Sequence, residues 1–225
     1  MSGRESKRAG LMATAAGMAI AGAAVGAPPK YIVVADSGND CVALVDAASG
    51  GMVNHGTISL QSGDGARIQS IGRAKATGGY RRFAWDASDL LLREWFASTA
   101  QARGLDLVED RFGNQWAWWG DPDRDGPGVV LGSHLDSVPD GGAYDGPLGV
   151  VSAFAALDRL RGDGHQPVRP LAIANFADEE GARFGIALAG SRVITGLLDP
   201  DRARSLREGD AAATQGLKES REHEE

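Results

Sequence analysis

The residues able to do chemistry fall in three short clusters. His134-Leu135-Asp136 sets an imidazole and a carboxylate two positions apart, and alternate residues of an extended segment share a face. Such an Asp can orient an imidazole whose other nitrogen holds a metal ion; the same pair also suits an ordinary surface turn. Asp145 stands between Gly141-Gly142 and Gly146-Pro147, at or beside a helix start whose dipole and free N–H groups keep a carboxylate ionised. It reads as a capping acid or, given glycines that let the backbone approach a ligand, as a ligand itself. Glu179-Glu180 follows an apolar run, with no basic residue before Arg183. In an extended segment the two point to opposite sides, so one can hold a metal while the other serves as general base toward a water. A solvated acidic turn is the alternative. Together, one imidazole and several carboxylates read as a hydrolytic metal site with oxygen-rich ligation, suited to Zn²⁺ or Mn²⁺, with Asp145 as a bridge between two ions.

These clusters need a scaffold that brings them to one edge. Residues 129–132 and 171–176 are continuous apolar runs, and 147–160 reads as a helix with Pro at its first position. Strand, helix, strand with apolar residues on both strand faces predicts a βαβ unit in a parallel sheet covered by helices. His134, Asp136, Asp145 and the run Asp178-Glu179-Glu180 then lie at carboxyl ends of parallel strands, the edge where open α/β sheets bind ligands. Upstream, Asp86 or Ser88 can cap a helix in which Leu90, Leu91, Trp95, Phe96 and Ala100 recur at helical spacing up to Gly104. Residues 105–109 and 115–119 read as short strands around Phe112-Gly113-Asn114.

Composition limits the alternatives. With 23 Lys and Arg against 30 Asp and Glu in 225 residues, the net charge of −7 leaves no basic footprint for a nucleic-acid partner. Thirteen basic and 18 acidic groups fall within residues 69–200, so acid accumulates around the clusters. The single cysteine, Cys41, excludes an internal disulfide and a thiolate metal site. Four histidines (His55, His134, His165 and His223) leave little for an imidazole-rich site.

Around this core, Arg4, Lys7 and Arg8 precede an uncharged Ala/Gly-rich run over residues 9–27. It reads as a low-complexity extension or a weak export signal, too feebly hydrophobic for a membrane span; no membrane partner and a cytoplasmic location are expected. Residues 31–46 read as a β-hairpin around Asp36-Ser37-Gly38-Asn39-Asp40, and 54–66 as a linker. The resulting division is an extension (1–30), a hairpin segment with linker (31–68), a catalytic segment (69–200) and a charged, disordered tail (201–225).

The motifs resemble a known family. Residues 132–139 (GSHLDSVP), 141–150 (GGAYDGPLGV) and 177–185 (ADEEGARFG), with Gly78-Gly79-Tyr80-Arg81-Arg82, Asp110-Arg111-Phe112-Gly113-Asn114 and Gly190-Ser191-Arg192, are similar to the dinuclear metal amidohydrolases. That family includes allantoate amidohydrolase, N-carbamoyl-L-amino acid hydrolase and β-ureidopropionase, within the aminoacylase/carboxypeptidase metallopeptidase superfamily. The resemblance implies an α/β fold, a partial three-layer αβα zinc-peptidase-like catalytic domain with a mainly parallel sheet, matched over its N-terminal part. It implies two divalent ions, Zn²⁺ or Mn²⁺, with His134 on one, Asp145 bridging and Glu180 on the other. Glu179 would be the general base and Asp136 the orienting carboxylate. The implied reaction is hydrolysis of a linear amide or ureido C–N bond in a small-molecule substrate. The family pattern also calls for two histidine ligands downstream, a lid and a homodimerisation domain, which this sequence does not supply. His165 precedes the acidic pair and His223 lies in the polar tail. A truncated or fused product without turnover is therefore one alternative expectation, and a metallopeptidase or aminoacylase of the same superfamily another.

Overall fold

A computed structural model of the chain describes residues 31–36, 41–46, 52–57 and 63–208. The expected extension at 1–30, the hairpin turn at 37–40 and the last part of the tail, 209–225, lie outside the described residues. The chain divides into two compact units, residues 1–59 and 60–225.

In the first unit, β1 (Tyr31–Asp36), β2 (Cys41–Asp46) and β3 (Met52–Thr57) form an antiparallel sheet in that order. The expected hairpin is β1–β2, in register from Tyr31↔Asp46 to Asp36↔Cys41. The stretch read as a linker instead supplies the end of β3 and the start of α1 (Gly63–Ile68). Local polarity hid β3 because its pairing with β2, His55 opposite Ala43 for example, is a backbone ladder that composition does not report.

In the second unit, α2 (Ala87–Ala102) starts at Asp86, whose side chain accepts the Asp89 N–H, and stops before Gly104 at φ 62°. β4 (Asp106–Glu109) and β5 (Gln115–Trp119) follow, then α3 (Pro122–Asp125), β6 (Val129–His134), α4 (Pro147–Gly162) and β7 (Leu171–Phe176). The expected α/β architecture is present, and β6–α4–β7 is the anticipated parallel unit, with Val129 opposite Leu171 and His134 opposite Phe176. The sheet order is β4-β5-β7-β6.

The sheet is not mainly parallel. Both β4–β5 and β5–β7 pair antiparallel. The tight turn at 110–114 can join only antiparallel strands, whereas α4 is long enough to return the chain parallel. β7, at the centre, is buried along nearly all its length, while Val129 and Val130 on edge strand β6 are 48% and 42% exposed. The core forms where α2 and α4 meet: Leu92, Phe96, Phe154 and Leu157 are fully buried, and Phe154 packs against Trp95 and Phe96 at centroid distances of 6.1 and 5.4 Å.

Two short helices complete the unit, α5 (Ala189–Ile194) and α6 (Pro200–Ser205). The second overturns part of the expected disordered tail. Asp199 accepts the N–H groups of Asp201 and Arg202, Pro200 occupies the first turn, and Ala203 is buried with Ala189 and Leu198. A local start signal outweighs a charged composition there. No helix among the described residues is long and apolar enough to cross a membrane.

Candidate metal centre

The three sequence clusters meet where β6 and β7 end. His134 is the last residue of β6 and 6% exposed. Its Nε2 lies 3.5 Å from a Glu179 oxygen and 3.9 Å from Asp145 Oδ1. One potential ligand atom from each of His134, Glu179 and Glu180 lies within 4.8 Å of the others. Asp145 stands at the open side, with its side chain 63% exposed. It is not the helix cap: Gly146 occupies that position at φ 81°, and no side chain caps α4. A Cβ at 146 would sit 2.6 Å from the His134 carbonyl oxygen and 2.7 Å from the ring, so glycine is what lets this loop lie against the imidazole.

Asp136 holds the arrangement together. It is 3% exposed, its Oδ1 is 3.4 Å from His134 Nδ1, and its two oxygens accept the N–H groups of Glu179 and Glu180 at 3.3 and 3.0 Å. One carboxylate thus fixes both the imidazole after β6 and the acidic pair after β7. The Asp136 carbonyl oxygen lies 3.1 Å from the same Nδ1. With Nδ1–H held there, Nε2 is the nitrogen that faces the acids, and its lone pair becomes available to an ion once its proton is lost.

The electrostatics fit a cation. Burial opposes charge on His134, but the hydrogen bond and charge of Asp136, with Glu179 and Glu180, outweigh it and raise the imidazole to about 9. Burial also raises Glu179 and Glu180, with His134 working against it in both. Asp178, at φ 51°, is pushed up to about 7 by burial and then by Asp136 and Asp89. The nearby cation Arg183 donates to the Ala84 carbonyl and to Glu208 instead of the cluster. Glu180 Oε1 is buried without a hydrogen-bond partner. An orphaned carboxylate oxygen beside an imidazole and further carboxylates is a donor set suited to a divalent ion such as Zn²⁺ or Mn²⁺.

Several residues that set this geometry carried no role in the sequence reading. Tyr80 exchanges both backbone hydrogen bonds with Gly141 at 3.0 Å, Arg81 pairs with Asp140 at 2.9 Å, and Ser137 donates its N–H to the Arg82 carbonyl. The run from Gly78 to Arg82 therefore fastens the loop between His134 and Asp145. Asn114 accepts the Ala177 N–H at 2.9 Å, anchoring the exit of β7. Only motif similarity marked those stretches, because each acts through backbone pairings distant in sequence. His165 is exposed past the far end of α4, about 24 Å along a 16-residue helix from its start, and takes no part. His55 belongs to β3 of the first unit.

Residues 130–217 match peptidase family M20/M25/M40. The chain is 34% identical over 137 residues to the N-carbamoyl-L-amino acid amidohydrolase of Geobacillus stearothermophilus, covering 60% of this chain and 34% of that protein. It is 32% identical over 139 residues to the allantoate amidohydrolase of Escherichia coli K12, covering 62% and 34%. The crystal structure of a hydantoinase/carbamoylase family amidase from Burkholderia ambifaria superposes with a TM-score of 0.61 at 35% identity, covering 65% of this chain and 36% of that one. The chain thus spans about a third of the length of the curated relatives it matches, a share that fits their N-terminal part.

Proposed function

We propose, from the M20/M25/M40 kinship of residues 130–217, that this chain carries part of a metal-dependent hydrolase of linear amide or ureido C–N bonds, with N-carbamoyl-amino acids or allantoate as substrates. The observation that carries the proposal is the placement of the Asp136 carboxylate, which reaches His134 Nδ1 and the amides of Glu179 and Glu180 at once. In this reading His134, Asp145 and Glu180 would hold the ions. When bound, the cations would acidify a water and polarise the substrate carbonyl. Glu179, raised by burial, takes the proton of the attacking water and returns it to the leaving nitrogen. Asp136 keeps the imidazole oriented and holds the backbone from which both glutamates project.

The test is hydrolysis by the chain supplied with Mn²⁺ or Zn²⁺, using N-carbamoyl-L-amino acids and allantoate, with N-acetyl-amino acids and dipeptides as the comparison. Metal-stimulated release of product from the ureido substrates, lost in Glu179→Gln, is expected. Turnover of the N-acetyl or peptide substrates alone would move the chain to the aminoacylase or metallopeptidase reading. One observation favours a second reading, a chain without turnover of its own: His134 is the single imidazole at the cluster among the described residues. Metal binding without hydrolysis of any of these substrates would establish it.

A further inference from the structure

A second hollow lies beside the metal cluster, a cavity of about 190 Å³ whose walls include Trp85, Phe112 and Phe184, with Arg111, Arg204 and Asp178 also lining it. Three features mark it as built. Asp178 is 4% exposed, and its Oδ1 is buried without a hydrogen-bond partner. Arg111 is exposed and has no hydrogen-bond or ion-pair partner among the described residues, whereas Arg204 is held by Asp201. Trp85 in the aromatic wall is strained and held in place: it sits at φ 64°, donates its backbone N–H to Asp89 at 2.8 Å, and carries the Arg93 guanidinium 4.5 Å from its ring centroid. A Cβ at Gly113 would collide with that ring, so only glycine lets the turn lie against it. Two of the four non-glycine residues at positive φ among the described residues, Trp85 and Asp178, thus face one cavity, and such strain is concentrated where a ligand is met.

The complementary ligand has a donor for the orphaned carboxyl oxygen, an anion for the free guanidinium and an apolar body for the aromatic wall. We propose that this cavity binds a free α-amino acid with an aromatic or apolar side chain, its ammonium group on Asp178, its carboxylate on Arg111 and its side chain against Trp85, Phe112 and Phe184. The site goes beyond the hydrolase reading and stands without it, since neither Arg111 nor the aromatic wall belongs to the metal cluster.

The test is calorimetric titration of the whole, metal-free chain with L-phenylalanine, compared with phenethylamine, which lacks the carboxylate, and hydrocinnamate, which lacks the ammonium. Saturable binding of L-phenylalanine is expected, with each analogue at least about tenfold weaker, the size of one lost charged hydrogen bond. Arg111→Gln should erase the preference over phenethylamine, and His134→Ala should leave L-phenylalanine binding intact. No saturable binding, equal affinity for phenethylamine, unchanged selectivity in Arg111→Gln, or loss of binding in His134→Ala would each overturn the proposal. The last would place the ligand on the metal cluster instead.

Discussion

Two acidic regions on the same sheet show how differently a carboxylate can be used. At the β4–β5 turn, Asp110 Oδ1 accepts the N–H groups of Phe112, Gly113 and Asn114, while Oδ2 accepts from the Asn114 side chain at 2.7 Å and from the Trp116 indole. Every acceptor direction is used, and the acid simply closes its own turn. At the β6–β7 end, Glu180 Oε1 and Asp178 Oδ1 are buried with no partner, and burial raises both groups. Sequence alone cannot separate these uses, since each is an acid near glycines. Hydrogen-bond satisfaction does: a saturated carboxylate is structural, and a buried unsatisfied one awaits a ligand.

The largest test of this contrast is Glu179→Gln. It should lower kcat of the metal-supplied chain by about 10²- to 10⁴-fold, the usual share of a general base, with ion binding retained. Steady-state rates read beside metal content would show it, and a loss of both together would make Glu179 a ligand instead. Asp136→Asn comes next, with divalent-ion affinity expected to fall about 10- to 100-fold because the imidazole loses its orienting carboxylate. Asp110→Ala should do the opposite, costing about 1 to 2 kcal/mol of stability in chemical denaturation, as loss of a capping side chain does, while ion affinity stays unchanged. A change in ion affinity there would blur the two regions.

The smallest effect concerns Asp89, raised to about 6 chiefly by burial. Its folded value lies above its ordinary value of 3.8, so the native state binds the proton more tightly than the unfolded chain does. Its contribution to stability is complete below about pH 4 and is lost as pH rises through about 6. Asp89→Asn should therefore flatten the decline of melting temperature between those values, and an unchanged slope would assign the decline to other groups.

Much of this was legible in the sequence where a signal is local. Asp86 before α2, Gly104 after it, Pro147 opening α4 and the uninterrupted apolar run of β7 mark their elements directly. The direction of the strands was less legible. The apolar run of β7 reports its burial and the α4 crossover reports the parallel pairing of β6 with β7, but the antiparallel pairing of β5 with β7 follows from a contact between positions 115 and 175, which no local pattern encodes. For the site, residue type and spacing picked out His134, Asp136, Asp145, Glu179 and Glu180. The device that gathers them was hidden, because Asp136 acts on the backbone of residues 43 and 44 positions later. Tyr80 and Arg82, which clamp the loop between, act through main-chain bonds that any residue type can make.

The central claim is that His134 and the glutamates gathered at it, Glu179 and Glu180, mark a divalent-ion site, and proton release on ion binding tests it most directly. A ligating imidazole must be neutral, yet His134 is raised to about 9 without an ion. Titrating the whole chain with Zn²⁺ at about pH 7.5, in buffers of different ionisation enthalpy, should show saturable binding with about one proton released from His134. Both should disappear in His134→Ala and persist in Asp110→Ala. Saturable binding with the same proton release in His134→Ala, or no saturable binding in the unaltered chain, would contradict the account.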